Sequence, residues 1–138
     1  MSIRQISVFL EDSTNRLSGL VKTLGREGID IQAISFTETA DIGIFRLVTN
    51  KCDEAIKALN DANFTTRISD VSAVEIGDAP GSLARAVELF EKTGVVVEHL
   101  YTARTSKEGK AVIIFKLRNH KEGLKILREN GLSLVQHL

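Results

Sequence analysis

The chain carries one pattern twice. At an offset of 66 positions Asp12 falls on Asp78, Leu17 on Leu83, Val21 on Val87, Gly28 on Gly94, Ile31 on Val97 and Ile34 on Leu100. Further along the offset grows to 69, so that Asn50 meets Asn119. Self-similarity at half the chain length points to two copies of one small unit. The expected division is residues 1–69 and 70–138. Each copy is then roughly 70 residues, near the lower limit for an independent core. Specific chemistry is expected where the copies differ and where they meet.

Each copy opens on an alternating stretch, Ile6, Val8 and Leu10 or Val74 and Ile76, the period of a half-buried strand. A polar turn follows, and the period then lengthens to that of a helix. Leu17, Leu20, Val21 and Leu24 make one apolar stripe; Leu83, Ala86, Val87 and Phe90 make the other. Gly28 and Gly94 stop these helices, with Arg26 and Lys92 suited to the negative helix ends. A second strand is expected at 29–38 and 95–104, where the slip from Ile31 to Ile34 and from Val97 to Leu100 predicts a bulge or bend. A turn with Gly43 or Gly109 leads to a third strand, then a helix (Glu54–Leu59 or Glu122–Leu127), then a last strand from Phe64 or Leu132.

The order βαββαβ, with right-handed crossovers, puts both helices on one face of a four-stranded antiparallel sheet. The expected fold is therefore α+β, two ferredoxin-like units joined side by side into an eight-stranded sheet. Phe64 to Ile76 reads as nearly continuous strand, so the pair should be rigid rather than loosely linked. The second strands would be long apolar sheet edges, which call for a partner. Phe9, Phe36, Phe45, Tyr101 and Phe115 are candidates for the sheet face opposite the helices. Self-association, as a homodimer, is expected.

Composition removes several classes of function. Eighteen basic and eighteen acidic residues cancel, which leaves no electrostatic footprint for nucleic acid. An RNA-recognition module shares βαββαβ but needs stacking aromatics on its central strands. Here Glu75 stands where Phe9 stands in the first copy. The single Cys52 excludes an internal disulfide, a Cys-x-x-Cys metal loop and any multi-cysteine metal site. It has no His neighbour to activate it, and is expected to be an ordinary buried or capping thiol. His99, His120 and His137 lack metal-ligand spacing, and His99 is expected on a sheet face beside Tyr101. No phosphate loop or dinucleotide fingerprint occurs, so neither an enzyme nor a cofactor is expected. The apolar runs are too short to span a membrane, and from Met1-Ser2-Ile3-Arg4-Gln5 no signal peptide is expected. A cytoplasmic protein is expected.

The most specific string is Asp78-Ala79-Pro80-Gly81-Ser82-Leu83, between a strand and an amphipathic helix. Asp78 is expected to cap that helix, Pro80 to fit its first turn, Gly81 to permit an unusual φ and Leu83 to begin the core stripe. Free amides at such a helix start, with no bulky side chain over them, also form a receptor for a small carboxylate. In the first copy the corresponding residues are Thr14-Asn15-Arg16. Asn15 is able to take a left-handed conformation and to cap. Arg16 is either a charged fork for a carboxylate or a solvated side chain.

The Asp-x-Pro-Gly-x-Leu loop inside βαββαβ, followed by Gly94-Val95-Val96-Val97-Glu98, resembles the ACT domain. The first copy, from Gly28-Ile29-Asp30-Ile31-Gln32-Ala33-Ile34-Ser35 through Cys52 to Leu59, is similar to the regulatory region of aspartate kinases. The resemblance implies two ACT domains without an attached catalytic domain, and an amino acid or related small ligand. It implies a ligand held between the first loop of one domain and the second strand of its neighbour. The residues so indicated are Asp12, Asn15, Arg16 and Leu17 with Asp30, Ile31 and Gln32. Their counterparts are Asp78, Gly81, Ser82 and Leu83 with Val96, Val97 and Glu98. The ligand's ammonium would look to strand carbonyls or to Asp30, Gln32 or Glu98. Because the loops differ, unequal occupancy is expected. The function so indicated is a regulator that binds an amino acid and reports to a separate partner, such as an enzyme of amino-acid metabolism. The alternative is a structural module acting through edge-strand pairing, without a ligand.

Overall fold

The computed structural model describes residues 3–11 and 13–138, the side chains of residues 13–15 excepted. Eleven elements follow one another: β1 (Ile3–Leu10), α1 (Ser13–Arg26), β2 (Ala33–Glu38), β3 (Gly43–Val48), α2 (Cys52–Asp61), β4 (Thr65–Gly77), α3 (Ser82–Thr93), β5 (Val97–Ala103), β6 (Lys110–Leu117), α4 (His120–Glu129) and β7 (Ser133–Val135). The chain divides into two compact units, Arg4–Ser69 and Asp70–Leu138.

These strands correct the expected pair of ferredoxin-like units in an open eight-stranded sheet. Among the described residues there are seven strands rather than eight, β1, β3 and β2 side by side in one unit and β5, β6, β4 and β7 in the other. The cause is β4. The segment from Phe64 to Ile76 contains no Pro or Gly to break it, so one strand does the work of the last strand of the first repeat and the first strand of the second. It pairs with β1 as well as with β6 and β7.

In the Arg4–Ser69 unit, β3 lies between β1 and β2. Val8 and Phe36 both oppose Phe45, and Ile6 opposes Leu47. Residues directly opposite share a face. That face carries Ile6, Val8, Leu10, Phe45 and Leu47, and α1 and α2 close it with Leu20, Leu24, Ala55 and Leu59, all buried. Each fully buried aliphatic side chain here contributes about 1.5–3 kcal/mol. Phe45 is thus a helix-side core residue, as is Phe115 in the other unit, and neither lies on the opposite face where the sequence placed them. The second strand is shorter than expected. Residues 29–32 form an irregular approach to β2, in which Ile29 and Ile31 turn into the core and the Gln32 amide donates to the Val48 carbonyl at 2.9 Å.

In the Asp70–Leu138 unit the strand order is β7-β4-β6-β5. Val74 opposes Ile113 and Leu134, and Leu100 opposes Phe115. The expected slip in the second strand is present as a register shift between Val97 and His99. Phe90 of α3 meets Phe115 edge-on at 5.2 Å between ring centroids, at the centre of a core that also holds Val74, Leu117 and Leu127. His99 stacks on Tyr101 at 6.1 Å.

The second helices show how each unit reached its packing. Gly123 of α4 is buried, and a Cβ added there would collide with the Leu117 side chain. The corresponding residues of the first copy are Ala55 and Val48, both buried. A methyl group has in effect moved from helix to strand between the copies. Among the described residues no helix is long and apolar enough to cross a membrane.

Candidate functional site

The two helix starts are built differently. Helix α3 begins at Ser82 behind an N-cap glycine, Gly81, at φ 89°. Side chains with a Cβ are strained at such an angle, so the turn itself demands glycine. No side chain caps the helix. The Asp78 amide instead donates to the Gly109 carbonyl at 2.9 Å, tying the loop to the turn between β5 and β6, and the Ser82 amide donates to Ala79 at 3.2 Å. The expected Asp78 cap is therefore absent, and Pro80 precedes the helix rather than sitting in its first turn. By helix geometry the Leu83 and Ala84 amides have no carbonyl within α3 to reach. Leu83, expected in the core stripe, is exposed beside them. Asp78, Gly81, Ser82 and Leu83 together make an open turn that presents amides and little else.

Without Pro or Gly, the first copy starts its helix earlier, at Ser13, where alignment with Ser82 would put the start at Arg16. Asn15 accordingly lies within α1 rather than in a left-handed cap. Asp12 and the Asn15 side chain fall outside the described residues. Leu17 packs against the first core.

The earlier start carries Arg16 to the connection between α2 and β4. Its guanidinium lies 4.2 Å over the Phe64 ring, and Nη2 donates to the Asn63 carbonyl at 3.4 Å. Arg67 of β4 lies 5.6 Å from the Phe9 ring centroid. A cation on a ring face is held in orientation while its N–H edges stay available. A cavity of about 460 Å³ is lined by Phe9, Glu11, Arg16, Ile42, Thr65, Thr66 and Arg67. Among the described residues neither guanidinium nor the Glu11 carboxylate forms an ion pair. The Thr66 hydroxyl is taken by the Asn60 amide oxygen at 3.1 Å. The cavity therefore presents two cationic forks and one carboxylate, none of them ion-paired among the described residues, beside Phe9 and Ile42. Forks of that kind hold a carboxylate, and an uncommitted carboxylate holds an ammonium.

The second-strand residues contribute differently. Asp30 is exposed, Ile31 faces the core, Gln32 is buried, and none of the three lines this cavity. Val96 is exposed, and its carbonyl accepts from the Arg118 amide at 2.9 Å. Val97 packs on the second core. Glu98 is held by Lys116 at 3.3 Å and by Arg118 at 3.8 Å. Of the residues indicated by sequence, only Arg16 joins the cavity. Glu11, Thr65 and Arg67 were not indicated. The available signal was asymmetry, since Glu11 and Arg16 align with Gly77 and Ser82, and Arg67 with Val135. Among the described residues no group of three His, Cys, Asp or Glu side chains is placed to hold a metal.

This chain belongs to the ACT domain pair family, whose model matches residues 1–138. Protein BT0572 from Bacteroides thetaiotaomicron is 30% identical, with a TM-score of 0.89 over 98% of this chain and 92% of that one. The fold also resembles the ligand-free regulatory subunit of aspartate kinase from Thermus thermophilus, at 16% identity and a TM-score of 0.67 over 94% of this chain and 93% of that one. The corresponding subunit from Thermus flavus matches at 16% identity and 0.60 over 94% and 92%. No curated protein matches.

Proposed function

We propose that this chain is a regulatory protein whose ligand is an amino acid, and that the ligand is bound at the helix starts. The observation that carries the proposal is the cavity in which Arg16, Arg67 and Glu11 stand without ion-pair partners. Two guanidiniums suit an α-carboxylate, Glu11 suits the ammonium, and Phe9 and Ile42 supply an apolar wall. A volume of about 460 Å³ suits a small metabolite. The open turn at Asp78–Leu83 offers amides but no comparable fork, which supports unequal occupancy of the two copies. Regulation follows if the bound and free forms differ in affinity for a separate protein, such as an enzyme of amino-acid metabolism. A thermal-shift panel of the twenty amino acids on dialysed protein tests the proposal. One or a few should raise the melting temperature, and Arg67→Ala should abolish that rise. A flat response to all twenty overturns the proposal.

A second reading, an assembly module acting through its strands, is favoured by one observation. Ile34 of β2 is 53% exposed and Phe36, two residues on and on the same side, is 38% exposed. Light scattering is its measure. Self-association that disappears on Ile34→Arg supports it, and a monomer at all concentrations removes it.

A further inference from the structure

We infer a second ligand site, for a phosphorylated small molecule, on the Asp70–Leu138 unit. A groove of about 890 Å³ runs along α4, and Arg118, Lys121 and Arg128 all line it. Asp70 supplies the single carboxylate in its wall, and His120 and Leu124 lie between the cations. Lys121 and Arg128 form no ion pair among the described residues. Arg118 reaches Glu98 only at 3.8 Å, on a carboxylate that Lys116 already holds at 3.3 Å. Lys121 and Lys125 stand four apart on the helix, where like charges repel.

The first copy serves as an internal reference. In the places of Arg118, Lys121 and Arg128 it has Thr49, Asp53 and Asn60. On its helix Asp53 is bound to Arg4 of β1 at 3.0 Å and Lys57 to Asp61 at 2.7 Å. The groove wall, with Arg118, Lys121 and Arg128 against Asp70, is thus net cationic where the first copy's counterparts are not, the Glu122 and Glu129 of α4 standing outside that wall. Lys121 and Arg128 without ion-pair partners, with Arg118 on a loose one, suit a multiply charged anion, and guanidinium and ammonium groups together suit phosphate oxygens. A nucleic acid strand is disfavoured. The whole chain has no net charge, and the groove offers Leu124 rather than aromatic platforms for bases.

Calorimetric titration of the full chain with inorganic phosphate, pyrophosphate and ATP, and with a single-stranded oligonucleotide as control, at low and at physiological salt, tests this site. The comparison is a double variant, Lys121→Asp with Arg128→Asn, which installs the first copy's residues, its fold checked by circular dichroism. Pyrophosphate or ATP should bind the native chain, more weakly at the higher salt, and the variant should lose roughly tenfold or more in affinity. Equal affinity for pyrophosphate and ATP assigns recognition to the phosphates, and tighter ATP adds the nucleoside; both uphold the site. It is overturned if none of the three binds at low salt, if the folded variant binds as well as the native chain, or if only a single-stranded oligonucleotide binds.

Discussion

Consider adding one methyl group to α4, by Gly123→Ala. On helix propensity alone this stabilises by about 1 kcal/mol, since alanine is the better helix former. The structure predicts the opposite sign. The new Cβ would occupy the space of the Leu117 side chain, which is fully buried and has no solvent to swing into. Overfilling a close-packed core costs about 1–3 kcal/mol, and here the collision is with a side chain locked between strand and helix. The net expectation is a loss of about 1 kcal/mol, or roughly 3 °C in melting temperature for a chain of this size. Leu117→Val alone removes a buried carbon and costs about 1 kcal/mol. The two changes together recreate the Val48 and Ala55 pair of the first copy, so the double variant should melt close to the native protein. The coupling between the sites should then be about 1–2 kcal/mol, well above the scatter expected of independent positions. Urea and thermal unfolding of the four proteins, followed by circular dichroism, measure it. Gly123→Ala melting above the native chain, or additive effects in the double variant, would refute the reasoning.

Three other outcomes follow from the geometry. Gly81→Ala should destabilise by about 1 kcal/mol through its positive φ, with Gly81→Asn milder, and equal melting of native and alanine proteins would show that the turn does not need glycine. His120 is partly buried, and burial holds its imidazole below the ordinary histidine value despite the opposing pull of Asp70. The unfolded chain then takes up a proton first as pH falls. The stability His120 contributes is complete above its unfolded value of about 6.5 and is lost below it, so His120→Gln should flatten the acid side of a stability profile. Cys52 is buried and burial pushes its thiol pKa up, so an aromatic disulfide reagent should label it only as the protein unfolds; immediate labelling of native protein would contradict this.

Period and punctuation carried much of the local structure. The glycines that stop the first and third helices adopt positive φ, 66° at Gly28 and 77° at Gly94, as the sequence demanded. The irregularity between Val97 and His99 was legible from the slipped apolar phase. The run from Phe64 to Ile76 was legible as nearly continuous strand and is β4, but that this one strand serves both repeats, leaving seven described strands where eight were expected, was not. The first loop lacks Pro and Gly, so α1 starts at Ser13 and places Arg16 on Phe64. Of the candidate site, Arg16 could be named from its loop. Arg67 could not, because a lone cation on a strand looks like a solvated face until Phe9 and the cavity are in place.

The undivided β4 also dictates where this chain can tolerate changes of length. Side chains alternate along a strand, so one residue inserted between Thr65 and Ala73 would invert every facing beyond it, turning Val74 out of its core and Glu75 in. Length variation is thereby driven into the hairpin tips. The longer tip at residues 104–109, against 39–42 in the first copy, is where this duplication has already accepted it.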